Sequence, residues 1–172
     1  MSVATEYTAA ERIAEARRLL DAVCDPEIPA LTIAELGILR EVRWQADEQA
    51  LDVVITPTYS GCPAMGAIEV NIRAALQEGG FDRVHITTIL SPAWTTDWLT
   101  ASGRQKLLDF GIAPPAEASL DKKALLGENK AIACPFCGST DTKMISQFGS
   151  TACKALFRCA DCLEAFDYFK CH

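Results

Sequence analysis

No apolar run in this 172-residue chain approaches the roughly eighteen residues a membrane-spanning helix needs, and the opening MSVATEYTAAERI lacks the basic-then-apolar order of a secretory signal. These absences predict a cytoplasmic protein with no membrane partner. The sequence also has no glycine-rich nucleotide loop, no Gly-x-Ser-x-Gly elbow, no His-Glu-x-x-His and no pair of Glu-x-x-His sequences for a di-iron centre. Without that equipment, intrinsic catalysis is not expected. Positive charge is scarce: 16 Lys and Arg stand against 23 Asp and Glu, a net charge of −7. Nucleic-acid binding depends on basic side chains displacing counterions from phosphates, so the expected partners are proteins and not DNA or RNA.

Cysteine, by contrast, is plentiful, with eight residues. Four of them form two Cys-x-x-Cys pairs, Cys134-Pro-Phe-Cys137-Gly and Cys159-Ala-Asp-Cys162. A separation of about twenty residues between such pairs is the ligand spacing of a tetrahedral all-thiolate knuckle. Each pair aims two thiolates at one point, and Gly138 permits the tight turn after the second sulfur. Structural Zn2+ is the expected occupant, with rubredoxin-like iron as the alternative, since the same geometry serves both. Two disulfides would require an oxidising compartment, which the missing signal argues against. Cys153, Cys171 and His172 fall outside the quartet and are alternative ligands or packing residues.

Hydrophobic periodicity organises the rest. Thr8-Ala-Ala-Glu11 reads as a capping box, followed by Ile13, Ala16, Leu20 and Val23 on one helical face that Asp25-Pro26 should end. Cys24, closing that face, is expected in the core. Strands over about Leu39 to Trp44 and Leu51 to Thr56 form a hairpin, and a helix with Met65, Ile68, Ile72 and Leu76 on its buried stripe runs to Gly79-Gly80. A third strand at Arg83 to Leu90 and a last helix from Thr95 or Thr96 to Gly111 complete an α-β-β-α-β-α body. Residues 113 to 130 lose apolar periodicity and read as a linker. Beyond it, Gly149-Ser150 should turn a hairpin, with a further strand at Glu164 to Lys170. The predicted fold class is α+β, a small mixed sheet with helices, followed by a four-cysteine zinc ribbon. The predicted domains are 8–113, a linker at 114–130, and 131–172.

Within the body, Cys62 is the candidate functional thiol. It lies between Ser60-Gly61 and Pro63 at a helix start, where unpaired N–H groups and the helix dipole favour a thiolate. A small hydrophobe or simple cap is the competing reading. Asp25 and Glu27, in a proline-fixed loop, would approach Cys62 if the first helix packs beside the hairpin; otherwise they stop the helix and stay solvated. His85 is expected to be hydrogen-bonded or solvent-facing, Asp161 to be a turn residue, and Trp44, Trp94 and Trp98 to be core or interface aromatics.

Asp25-Pro-Glu-Ile-Pro29, Leu31-Thr-Ile-Ala-Glu-Leu-Gly-Ile-Leu39 and Thr58-Tyr-Ser-Gly-Cys62-Pro63 together resemble the metal-sulfur cluster assembly domain, over about residues 8 to 113. Ser91-Pro-Ala-Trp-Thr-Thr-Asp-Trp98, Gly111-Ile-Ala-Pro-Pro115, the Cys134 knuckle, Ser150 to Phe157 and Phe166 to His172 resemble the PaaD family, encoded with bacterial phenylacetyl-CoA epoxidase. The resemblance implies a role in aerobic phenylacetate catabolism beside a di-iron oxygenase and an iron-sulfur flavoprotein reductase, either of which would be a protein partner. It further implies an accessory maturation factor in which Cys62, helped by Asp25, transiently holds iron or an iron-sulfur cluster. A non-catalytic structural or regulatory role in the oxygenase complex is the alternative, and a homodimer stays open.

Overall fold

The computed structural model describes residues 7–115 and 132–170, which form two compact units. The first comprises residues 7–57 and 63–92, the second residues 58–62, 93–115 and 132–170. Most of the predicted linker, together with Cys171 and His172, lies outside the described residues.

The first unit starts with helix α1, Ala9–Leu20, closed by the predicted capping box: the Glu11 amide donates to Thr8 Oγ1 at 3.2 Å and the Thr8 amide to Glu11 Oε2 at 2.8 Å. That Thr8 amide, with the Thr8 hydroxyl, holds the Glu11 carboxyl below its usual range. The helix ends at Leu20, short of the expected Asp25-Pro26 stop. Tertiary pairing takes the backbone first: Cys24 bridges Thr32, the Asp25 amide donates to Leu31 O, and the Ile33 amide to Val23 O. This one-residue change of course keeps Val23 in the core and turns Cys24 out to solvent, correcting the expectation that Cys24 is buried.

The segment up to residue 38 has no regular element, yet Leu31, Ile33, Leu36 and Ile38 are all buried. A reciprocal Thr32–Glu35 pair, with both amide-to-side-chain bonds at 3.1 Å, holds its turn. Strands β1, Leu39–Gln45, and β2, Ala50–Ile55, form the predicted hairpin with Val42 opposite Val53. Helix α2, Ala64–Glu78, then carries the chain to β3, Val84–Thr88, which lies parallel to β2. The result is the mixed three-stranded sheet that was expected, in order β1-β2-β3. Leu51, Val53 and Ile55 share one face of the central strand and are fully buried, as are Ile68, Ile72 and Leu76 at i, i+4 and i+8 on α2. Burial of each such side chain stabilises by about 1.5–3 kcal/mol.

The second unit assembles differently from the expected last body helix. A 3-10 turn at Thr96–Trp98 breaks at Leu99, whose backbone is extended, and α3, Ala101–Asp109, restarts with the Thr100 hydroxyl accepting from the Gly103 amide at 3.0 Å. Gly103 is thus a first-turn residue and not a helix interruption. Next comes β4, Ile112–Ala113, and the ribbon supplies β5, Thr142–Ser146, β6, Lys154–Cys159, and β7, Ala165–Phe169. The sheet order is β4-β7-β6-β5, with β4 parallel to β7. Residues 93–113, expected with the first domain, therefore fall in the unit that holds the ribbon, joined to its strands through β4 and Trp94. Trp94 packs edge-on against Phe169 at 6.0 Å between centroids, and the Arg104 guanidinium ties Thr96 O to Pro115 O. The β5–β6 connection spans more than the predicted Gly149-Ser150 turn: the Gly149 amide donates to Lys154 O, and the Ser150 hydroxyl to the Asp167 carboxylate at 2.7 Å.

Candidate functional site

The four knuckle sulfurs converge. Every pair among Cys134, Cys137, Cys159 and Cys162 lies within 4.8 Å, and Cys134–Cys162 and Cys137–Cys159 are each 3.6 Å apart. Four thiolates about 2.3 Å from a central zinc would stand about 3.8 Å from one another, so the cage has the size of a tetrahedral ion.

The two knuckles are built alike. The Cys134 amide donates to Ser139 O at 2.8 Å, and the Cys159 amide to Glu164 O at 2.9 Å, the same five-residue closure. The residue after each second cysteine is left-handed: Gly138 at φ +74° and Leu163 at φ +64°. Asp161 does more than turn the chain, because its carboxylate accepts the Ser139 hydroxyl and so links the two knuckles. Behind the cage, Cys134, Cys159, Ala113 and Phe166 are buried together, with Ile132, Phe157, Cys162 and Tyr168 packed on them. Phe157 stacks on Phe166 at 6.0 Å and meets Tyr168 edge-on at 5.6 Å. A Cβ on Gly111 would lie 3.1 Å from the Phe136 ring, so the first knuckle rests on the chain entering β4.

Backbone N–H groups aim at the sulfurs. That of Cys162, with a further contribution from Asp161, overcomes desolvation and brings the Cys159 thiol down to about 7. Cys162 receives the Glu164 N–H, yet desolvation and its three crowded sulfur neighbours push it up to about 12. The Ser139 N–H lowers Cys137, but desolvation and the Cys159 sulfur outweigh it and leave the thiol raised. Crowded thiols resist full ionisation without a central positive charge, which a bound metal cation provides.

Outside the quartet, Cys62 is half-buried, neither sealed in the core nor fully exposed. Its amide donates to Tyr59 O at 3.3 Å in a tight turn, Gly61 takes φ +86°, and Pro63 caps α2 with no side-chain hydrogen bond. Asp25 is 7% exposed, and its Oδ1 accepts both the Glu27 and Ile28 amides at 2.8 Å. The carboxylate therefore fixes the Asp-Pro-Glu-Ile-Pro loop from within. Asp25 belongs to the first unit and Cys62 to the second. Cys153 is buried beside the Thr151 hydroxyl at 3.0 Å, and His85 faces Asp52 at 3.2 Å on the exposed side of the sheet, as expected for a hydrogen-bonded histidine.

Sequence reasoning passed over Thr56, where β2 gives way to the Cys62 loop. Its hydroxyl is buried without a hydrogen-bond partner among the described residues, an uncommon condition that calls for an explanation. Alternation places Thr56 on the Asp52 and Val54 side of the chain, so the sequence carried no signal of its burial. No helix among the described residues is long and apolar enough to cross a membrane.

Two families match the chain in succession: an iron-sulfur cluster assembly protein family over residues 13–86 and the PaaD zinc beta ribbon domain over residues 118–170. Among solved structures, a domain of unknown function DUF59 from Bacillus anthracis is similar at TM-score 0.53 and 21% identity, covering 58% of this chain and 93% of that one. This likeness supports the fold of the first unit. A conserved hypothetical protein from Thermotoga maritima is similar at TM-score 0.47 and 24% identity, over 55% of this chain and 91% of its own. In Escherichia coli (strain K12), a protein named as the D component of 1,2-phenylacetyl-CoA epoxidase is 47% identical over 153 residues, 89% of each chain. At that identity and coverage, and with the PaaD ribbon at its carboxyl end, the chain belongs to the PaaD family of phenylacetyl-CoA epoxidase components.

Proposed function

We propose that this chain is an accessory subunit of a phenylacetyl-CoA epoxidase system in aerobic phenylacetate catabolism, and that it helps to mature an iron-sulfur or iron centre of its partners. The observation that carries the reading is the contrast between its sulfurs. Cys134, Cys137, Cys159 and Cys162 form a closed cage braced by N–H groups and aromatic packing, whereas Cys62 sits half-buried on a glycine turn. A closed site of four thiolates would hold zinc as a permanent cross-link of the ribbon and would not release it readily. A single accessible thiolate can bind cargo and give it up. Iron or a cluster is in this reading the substrate of Cys62, and Asp25 acts as a positioning residue by fixing its loop.

The match to an iron-sulfur cluster assembly family over residues 13–86 supports this division of labour. The test is elemental analysis with visible spectroscopy on anaerobically purified wild type and Cys62→Ser. One zinc per chain in both proteins, with iron or cluster absorption lost only in the variant, is the expected result. Zinc alone in both would refute delivery and leave a structural or regulatory role in the oxygenase complex.

A further inference from the structure

Thr56 carries a hydroxyl that the fold itself does not use. The residue follows β2 at its carboxyl end and is 1% exposed. Its amide is paired, donating to Ile38 O at 2.9 Å. Its hydroxyl is enclosed and meets neither donor nor acceptor, a condition that no other buried side-chain polar atom among the described residues shares. An unpaired buried hydroxyl destabilises a fold, and a valine of the same shape would remove the conflict while extending the apolar run of Val53, Val54 and Ile55.

The place of Thr56 in the fold says what the hydroxyl serves. Strands β2 and β3 are parallel and joined through α2, and binding loops gather at the carboxyl ends of strands so connected. Thr56 stands at that end, where the chain leaves the sheet for the turn that carries Cys62. Backbone bonds tie the same strand end to the Asp25 loop: Ile38, which accepts the Thr56 amide, donates with Leu39 to Ile33 O, and Ile33 donates to Val23 O just before Asp25. The turn has room to change shape, since Gly61, at φ +86°, has no atom within 4 Å of a Cβ built on it. Departures from local preference at such a place mark function, because binding can remove a conflict that folding leaves. We infer that Thr56 is a positioning residue for the cargo turn: its hydroxyl is unpaired while Cys62 is empty and hydrogen-bonds to the 57–62 backbone when that turn takes up iron or a cluster. Binding then recovers what the empty fold forgoes, so the loaded shape of the turn is favoured by a bond that the empty shape lacks. This inference rests on the delivery reading above and adds the residue that couples the turn to the sheet.

The test compares full-length, zinc-replete wild type, Cys62→Ser, Thr56→Val and Thr56→Ser, each titrated anaerobically with ferrous iron alone and unfolded thermally without it. Thr56→Val is expected to hold or raise the unfolding midpoint yet weaken iron binding roughly five- to a hundredfold, the equivalent of one buried hydrogen bond left unmade. Thr56→Ser keeps the hydroxyl and loses a buried methyl, so it should unfold earlier but bind iron as wild type does. Stability and affinity thus move in opposite senses in the two variants, which a threonine serving the fold alone would not produce. A lower midpoint for Thr56→Val means that the hydroxyl already has a partner, such as an ordered water, and overturns the inference. Wild-type iron affinity in Thr56→Val, with binding lost in Cys62→Ser, also overturns it and leaves the delivery reading standing. Equal iron binding by wild type and Cys62→Ser overturns the delivery reading, and this inference with it.

Discussion

Replacing Cys159 by serine should unfold the ribbon together with residues 93–113 while leaving α1, α2 and β1–β3 folded. Structural zinc in small cysteine-rich domains contributes an apparent ~10–16 kcal/mol at neutral pH, which equals or exceeds the ~5–15 kcal/mol that stabilises a whole domain. Little else in this unit compensates. Of the four buried members of its central cluster, Ala113, Cys134, Cys159 and Phe166, two are knuckle cysteines. The loss should spread backwards along the chain because β4 has two residues and its ladder partner is β7, while Trp94 rests on Phe169. Native-state hydrogen exchange tests this directly. Losing about 5 kcal/mol of opening free energy lowers amide protection by more than three orders of magnitude, at tenfold per 1.4 kcal/mol. That collapse is expected at β6 and β7 and equally at Leu107, Phe110 and Gly111, whereas Val53 and Ile55 in β2 should keep their protection. If residues 101–113 stay protected while 142–169 exchange freely, α3 and β4 fold with the first domain and the reasoning is wrong.

Gly138→Ala isolates backbone strain, since no atom lies within 4 Å of the added Cβ and φ is +74°; it should cost about 1–2 kcal/mol, a thermal-unfolding midpoint lower by several degrees. Asp25→Ala removes the acceptor of two amides at 2.8 Å in a buried turn and should destabilise the first unit by about 2–4 kcal/mol in urea titration, whereas Asp25→Asn, which keeps an acceptor oxygen, recovers most of that. An Asp25→Ala chain as stable as wild type would contradict the loop-fixing role. Thr8→Ala, which opens the α1 capping box, should cost about 1 kcal/mol in the same titration and leave metal content unchanged.

These expectations show which physical signals a linear sequence carries. Ligand spacing is local: Cys134 to Cys137 and Cys159 to Cys162 close their own turns through bonds of five-residue reach, so the cage was readable without knowing the fold. Amphipathic periodicity also survived in α2, where Ile68, Ile72 and Leu76 are buried as their spacing requires. It failed at the end of α1 for Cys24 alone: continuing the helical wheel past Leu20 puts both Val23 and Cys24 inside, while the backbone there pairs with residues 31–33, keeps Val23 buried and turns Cys24 outward. The same weakness hid the allegiance of residues 93–113. The spacing of Leu99 and Leu107 says that one face of the expected last helix is covered, but not whether the first sheet or the ribbon covers it. What decides the question is β4, whose partners Asp167 and Tyr168 lie more than fifty residues downstream of Ile112 and Ala113. Two residues are too few to show any period, and neither family match includes them, one ending at 86 and the other starting at 118. Leu163 was hidden for another reason: as a residue type it is unremarked, and only its backbone angle, set beside that of Gly138, shows that the chain holds an apolar side chain where a glycine would suit the isolated fold better.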